Sequence, residues 1–368
     1  MQYLQKYEDF LIKNASQITS IESSLRSLTY ILPGRFHDAE FASQAVYAAI
    51  NLVSLYHNSI LRRAAKAYAD ETRSEVAEES TFNKYINFWS SKSHTYKHVS
   101  TLLSVIAYTQ VLMEMGVAKK WGKRTQWRWV ATLEALKVIL RLMLFKSSGQ
   151  RMTLYPTHLE RDVDPATLAA DAENVSVPRW TGRRTGIEIP RMDSTIEFNP
   201  MKKSKDSRKF DDINDYLMSK VLTPEKLQKP GQMVHTMHKL GGLGEILYIL
   251  RPLVYVLAIM RYGKRSWKPW WVSLLVELAS QAALRKEFDQ GPGRRSNMKP
   301  LEKQELSRRA HLLWFNLLRG AFYTNITRPR LERFCNRVED KALISIVGNV
   351  IRTYLPLWEN VYFYTSSS

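Results

Sequence analysis

Residues 261–271 read RYGKRSWKPWW and place four cations (Arg261, Lys264, Arg265, Lys268) with Trp267, Trp270 and Trp271 in one short turn between the apolar segments 243–260 and 272–284. Fixed positive charge attracts headgroup phosphates and an indole is amphipathic, so this set suits the interfacial layer of a membrane. The same residues would also suit a soluble helix–turn–helix whose tryptophans fill a core. A second basic stretch, 119–130, interleaves Trp121, Trp127 and Trp129 with Lys and Arg. It fits an interfacial anchor equally well, or a nucleic-acid patch that holds phosphates and stacks bases. No recognised nucleic-acid module surrounds it, and it leads straight into an apolar helix. Residues 119–151 carry nine Lys or Arg against one acid, Glu134, which turns this flank toward an anionic, cytosolic leaflet.

Candidates for covalent or metal chemistry fail on spacing. Gly241–Gly244 (GGLG) lacks the third glycine and the preceding strand of a dinucleotide fingerprint. Gly263-Lys264 imitates the end of a phosphate-binding loop, but Ala258 and Arg265 break that motif. His94 and His98 are four apart and no third ligand is marked nearby; His235 and His238 are discounted for the same reason. There is no G-x-S-x-G elbow, and Cys335, the only cysteine, has no nucleophile signature and no partner for a disulfide or a thiolate cluster. No catalytic, cofactor-binding or metal-ligating residue is assigned, and the chain reads as a non-enzyme with no small-molecule substrate. An enzyme would need a polar pocket furnished by Glu134 or Glu277.

The elements that must position the basic, Trp-bearing turns are helical. The chain has 368 residues, is 45% hydrophobic and carries a formal charge of +19, so it buries a core and favours an anionic partner. Leu4, Tyr7, Leu11, Asn14, Ile18, Ile21, Leu25 and Leu28 follow a three–four spacing that predicts a helix ending before Pro33-Gly34. Leu4, Leu11, Ile18 and Leu25 form a seam for a partner helix or for packing within the chain. Asp38 caps a second helix in which Phe41, Ala45, Ala48, Leu52, Leu55 and Ser59 share a face. Thr81 starts a third that runs toward Met113. The apolar run 99–113 stops at Glu114, and 129–145 carries Glu134, Lys137 and Arg141 on one face, the pattern of an amphipathic helix. Glu245 and Arg251 interrupt the segment from Leu243. In-plane or bundled helices are expected at least as much as clean spans.

The fold expected is all-α, a membrane-associated multi-helix bundle in two helical halves, 1–146 and 241–368, joined by a polar, largely disordered connector at 147–240. The basic run 202–209 and short helices near 211–222 fall in that connector. No internal repeat is evident, and β-type alternation is scarce. The N-terminus, with Glu8 and Asp9, is unlike a cleaved secretory signal, and the final TSSS is not a peroxisomal-matrix address.

Several segments, in order, resemble the peroxin sixteen family, in particular its fungal members: LPGRF (32–36), VYAAINLVSLYHNSILRR (46–63), MEMGVAKKWG (113–122), ILYILRPLVYVLAIMRYGKRSWKPWW (246–271), ELSRRAHLLWFNLLRGAFY (305–323) and YLPLWENVYFY (354–364). The resemblance implies a non-enzymatic assembly factor of the peroxisomal membrane that passes through or resides partly in the endoplasmic reticulum. It implies partnership with the docking receptor peroxin three and the shuttling chaperone peroxin nineteen, and contact with peroxisomal membrane lipids. For animal members it implies two spans, corresponding here to about 127–146 and 243–262. The nucleic-acid binder and the membrane-bound enzyme remain the alternatives.

Overall fold

The computed structural model describes residues 6–8, 10–11, 14–31, 39–72, 80–160, 179–181, 188–190, 229–289, 298–338, 347–352 and 355. It is helical almost throughout, the exception being a three-residue hairpin of β1 (Arg179–Thr181) and β2 (Glu188–Pro190), paired antiparallel with Trp180 opposite Ile189. The chain forms two compact units. The first comprises Met1–Ile21, His57–Glu78 and Arg161–Lys229. There Leu11 packs with Ile60, Leu61 and Ile18, and the Tyr7 hydroxyl meets His57 Nε2 at 2.6 Å. The second comprises Glu22–Tyr56, Glu79–Glu160 and Pro230–Ser368.

Helices α1 (Ala15–Ile31) and α2 (Ala39–Thr72) match the first two helical readings. The third becomes two, α3 (Thr81–Lys92) and α4 (His94–Ser147), because Ser93 adopts an extended conformation and restarts the helix. Ser80 and Ser93 each accept, through the side-chain oxygen, an amide three residues on, at 3.2 and 3.3 Å, so each satisfies a donor that the first turn would leave open.

Helix α4 is broken at Gly122, whose φ of 81° is available to glycine at little cost. Its limbs, α4a (94–121) and α4b (123–147), run antiparallel: Gln126 Nε2 donates to Glu114 at 2.8 Å near the turn, Lys137 Nζ to Gln110 at 2.9 Å mid-way, and the Ser93 and Ser147 hydroxyls lie 3.3 Å apart at the far end. Helices α5 (Lys239–Tyr262) and α6 (Trp267–Asp289) form a second hairpin about Gly263, φ 85°. Their backbones approach closely: a Cβ on Gly244 would stand 3.1 Å from Ala283 Cβ, Leu284 Cγ and the Ser280 carbonyl, and the Ser280 hydroxyl donates to the Gly244 carbonyl at 2.7 Å.

The hairpins join through α4b and α5. Val130 packs with Tyr255, Val256 and Ile259 near the two turns, and Val138 and Phe145 pack with Ile249 farther along. The two glycine turns therefore lie at the same end of the bundle. Helix α7 (Pro300–Leu313) and the 3₁₀ turn Trp314–Leu318 run beside it, from Leu301 in the largest core cluster to Asn316 beside Trp270, and α8 (Arg328–Val338) follows. That cluster joins Tyr85, Ile86 and Trp89 of α3 to Leu103, Leu140, Leu144, Leu284 and Phe288.

Both ends of the connector correct the sequence reading. Met152, Leu154, Met233, Val234 and Met237 sit in the same cluster, so residues 148–160 and 230–238 are ordered by apolar burial. The basic run 202–209 and the stretch 211–222 lie outside the described residues.

Candidate membrane-contact surface

Helices α4b, α5 and α6 bury charged and polar side chains beside their apolar core and expose large apolar ones. On α6 the buried positions include Ser273, Glu277, Ser280 and Gln281, while Trp271, Leu275, Leu278 and Ala282 are exposed. On α4b, Glu134 and Lys137 are buried and Leu136, Ile139 and Met143 are exposed. On α5, Glu245 and Arg251 are buried and Leu240, Leu243, Leu257 and Met260 are exposed. The charged face of 129–145, read from sequence as one face of an amphipathic helix, turns inward: Glu134 and Lys137 point at α4a, where Gln110 and Glu114 lie. Two helices, His94–Gly122 and Lys239–Tyr262, are long and apolar enough to cross a membrane, yet only a third and a half of their apolar windows are buried. A helix core to a soluble protein would be buried on most sides.

The inward charges are paired. Glu245 accepts two bonds from Arg309, at 2.7 and 2.9 Å, together with the Thr153 amide at 3.0 Å and the Thr153 hydroxyl. Arg309 also bonds Glu305 at 2.8 Å, and its guanidinium lies 3.8 Å from the Tyr248 ring centroid. Burial alone would lower the pKa of Arg309, but Glu245 and Glu305 outweigh it and raise it above its ordinary value. Arg251 meets Glu277 at 2.7 Å, and the Asn316 amide donates to the other Glu277 oxygen at 2.9 Å. Lys137 pairs with Glu134 at 2.6 Å. Leaving any of these charges alone in a low dielectric would cost several kcal/mol, roughly, so Glu245–Arg309 and Arg251–Glu277 tie their helices together, while Glu134–Lys137 pairs charge within α4b.

At the turn end, two copies of one local sequence come together. Trp121-Gly122-Lys123-Arg124-Thr125 and Tyr262-Gly263-Lys264-Arg265-Ser266 share aromatic-Gly-Lys-Arg-hydroxyl, and both glycines take positive φ. Lys120 sits 5.0 Å from the Trp121 ring centroid and Lys268 5.0 Å from that of Tyr262. Lys119, Lys120, Arg124, Arg128, Arg261, Arg265 and Lys268 are exposed there with Trp121, Trp129, Trp267 and Trp271. The pairing of the turns, and the role of Arg124 and Arg128, were missed in the sequence; the repeated Gly-Lys-Arg was the available signal.

The family model described as Peroxisomal membrane protein (Pex16) matches residues 5–360. The chain belongs to this family. Its relatives include Peroxisome biogenesis protein 16 of Arabidopsis thaliana, 25% identical over 99% of this chain and 100% of the relative. Peroxisomal membrane protein PEX16 of Schizosaccharomyces pombe is 23% identical over 90% of each chain, and Peroxisome biogenesis factor 16 of Dictyostelium discoideum is 36% identical over 34% of this chain and 31% of its own. No solved structure matches. This Pex16-family chain is a peroxisome biogenesis factor of the peroxisomal membrane.

Within that family setting, the residues singled out from sequence divide. Trp121, 60% exposed, Trp129, Trp267 and Trp271 face outward. Trp270, 8% exposed, does not: its indole N–H donates to the Asn316 carbonyl at 2.8 Å and its ring stacks on Phe322. Trp127 is half-buried against the Val130 cluster. Leu11 is fully buried and Ile18 packs beside it, as in the reading of the seam as packing within the chain; Leu25 is exposed, and Leu4 lies outside the described residues. Glu134 and Glu277, which an enzyme would have needed in an open pocket, are both closed in ion pairs. His235 is held by Glu302 at 2.9 Å, and the His94 and His98 rings stack at 6.3 Å. Among the described residues no three His, Cys, Asp or Glu are grouped to hold a metal.

Proposed function

We propose that the chain is a non-enzymatic assembly factor that helps recruit or insert peroxisomal membrane proteins, acting with the docking receptor peroxin three and the shuttling chaperone peroxin nineteen. The supporting observation is that α4b, α5 and α6 expose large apolar side chains and bury charged ones in pairs, which fits the chain for a lipid-facing post and closes its buried carboxylates to substrate. The exposed cations and indoles of the two glycine turns set the depth of this bundle in the headgroup layer. Leu25 and Leu28, exposed on one side of α1, offer an apolar stripe to a partner helix. The domain division that goes with this reading is two helical halves, 1–146 and 241–368, on either side of the connector 147–240.

The test is delivery of peroxin three to peroxisomal membranes in cells lacking the chain, re-expressing either the wild type or Leu25→Asp/Leu28→Asp. Wild type should restore delivery, and the double variant should remain in the membrane while restoring less of it. Delivery that proceeds equally without the chain would refute the assembly role.

A further inference from the structure

We propose that Arg319, Tyr255 and Ser273 form an oxyanion site inside the turn end of the bundle, and that its occupant is a phosphate group. The site is independent of the assembly role, and four buried donors carry it.

Arg319 follows the 3₁₀ turn Trp314–Leu318 and is 2% exposed. Among the described residues, neither its Nε nor its Nη2 has a hydrogen-bond partner. The same holds for the hydroxyls of Tyr255 and Ser273, each 2% exposed. Buried polar atoms are nearly always paired, so four together in one region call for an acceptor.

The fold brings these groups to one place. The Arg319 guanidinium lies 5.5 Å from the Tyr255 ring centroid. Arg251 and Glu277 pair across the α5–α6 hairpin; Tyr255 stands four residues after Arg251, and Ser273 four before Glu277. The antiparallel register therefore sets Tyr255 opposite Ser273, one turn nearer Gly263. Ser273 also shares a face of α6 with Trp270 and Glu277, at spacings of three and four. Both of those residues hold Asn316: the indole donates to its carbonyl at 2.8 Å, and its amide donates to the carboxylate at 2.9 Å. The chain is thus pinned three residues before Arg319, on the side where Ser273 lies.

The chemistry of the unpaired atoms selects the occupant. Nε and Nη2 share one edge of the planar guanidinium, the edge that grips two oxygens of a carboxylate or phosphate side-on. The charged residues that act most on Arg319 are Arg251, Glu277 and Glu134. Glu277 is already bonded to Arg251 and Glu134 to Lys137, so neither carboxylate is left to balance Arg319. Burial and the neighbouring Arg251 push its pKa down to about 10, which still leaves it cationic at neutral pH. A water molecule would accept a hydrogen bond there but would not neutralise the charge; an oxyanion does both. Position favours phosphate over carboxylate. Tyr255 is eight residues from Gly263, about 12 Å along α5, at the end of the bundle where the exposed Lys and Arg side chains of both glycine turns concentrate anions.

Thermal unfolding of the purified full-length chain in detergent, at an ionic strength fixed with sodium chloride, tests this with two probes. One is inorganic phosphate; the other is short-chain phosphatidic acid, with diacylglycerol as its phosphate-free control. Phosphate should raise the wild-type midpoint and leave that of Arg319→Met unmoved, and Tyr255→Phe, which loses only a hydroxyl, should need about tenfold more of the same probe. A rise with both probes supports a site that free phosphate can fill, and a rise with phosphatidic acid alone supports a lipid headgroup as the source. A rise that persists in Arg319→Met would place binding on the exposed turn cations and overturn the site. No rise with either probe would overturn it too, including the case in which an acidic peptide raises the midpoint instead. If Arg319→Met does not fold, Tyr255→Phe and Ser273→Ala decide: unchanged affinity in both refutes the assignment.

Discussion

Leu275→Arg separates a lipid-facing surface from a water-facing one. Leu275 is 58% exposed, so its replacement removes little internal packing. It lies seven residues from Lys268 and ten from Arg285, the exposed cations on either side of it along α6, about 10 and 15 Å away. On a surface in water such a change stays within about 0.5 kcal/mol. Near the middle of a bilayer an arginine costs about 2.5–3.5 kcal/mol on insertion scales. The cost in lipid corresponds to roughly 60- to 300-fold in the equilibrium between inserted and released chain. The assay is the amount of chain that resists alkaline carbonate extraction from peroxisomal membranes, with Ser307→Arg on the outer face of α7 as the matched control. Leu275→Arg should lose most of the resistant pool and Ser307→Arg should keep it. Equal behaviour of the two would refute the assignment of the exposed leucines to lipid.

Four further outcomes follow from the interior and the turns. Arg309→Met leaves Glu245 fully buried with only Thr153 as partner and should cost about 3–5 kcal/mol, read by urea unfolding in detergent; adding Glu245→Gln should recover part of the loss. Trp270→Ala should lower stability by about 3–5 kcal/mol, since it empties a buried site and leaves the Asn316 carbonyl without its donor. The joint change of Trp121, Trp129, Trp267 and Trp271 to Ala should instead preserve the unfolding midpoint and weaken membrane retention. His158, bonded to Ser104 at 3.1 Å and Tyr108 at 3.3 Å, has its pKa lowered from the ordinary 6.5 by burial. A folded-state pKa below the unfolded one gives stability that is present above about pH 6.5 and lost as pH falls through the folded value. Thermal unfolding between pH 5 and 8 should show that loss in the wild type and a flatter profile in His158→Gln.

The helices were legible because their apolar residues recur at three and four, and Pro33-Gly34 marks the end of the first; the restart at Ser93 was not read, because a serine inside a continuous apolar period carries no stop signal of its own. The all-α class and both Trp-bearing turns followed from this. Which side of a helix faces the core did not, because a stripe containing Glu134, Lys137 and Arg141 has the same period whether it points to water or to a partner helix. The ends of the connector were hidden for a different reason. Met152, Leu154, Met233, Val234 and Met237 are few and scattered among polar residues, and they become core only because α3, α4 and α6 meet around them. Leu11 was visible as part of a seam, but its true partners, Ile60 and Leu61, lie far along the chain.

A hairpin does, however, carry information that periodicity alone lacks. Residues at similar distances on either side of a turn glycine must face one another when the limbs run antiparallel. Arg251 lies twelve residues before Gly263 and Glu277 fourteen after it, and they meet at 2.7 Å. Gln110 lies twelve before Gly122 and Lys137 fifteen after it, and they meet at 2.9 Å. Opposite or complementary polar groups matched in this way have partners available inside the hairpin, and the apolar positions between them are left for the outside. Two consecutive helices whose charges balance about a glycine turn, with uncharged residues on the remaining sides, therefore specify a polar seam and an apolar exterior before any coordinate is known. The charges at 134, 137, 245, 251 and 277 do not forbid membrane insertion for a related reason: each has a partner, Arg251 and Glu277 across the hairpin, Glu134 and Lys137 within α4b, and Glu245 on Arg309 of α7, so the several kcal/mol that an isolated charge would cost, roughly, is largely offset by the bond it already makes.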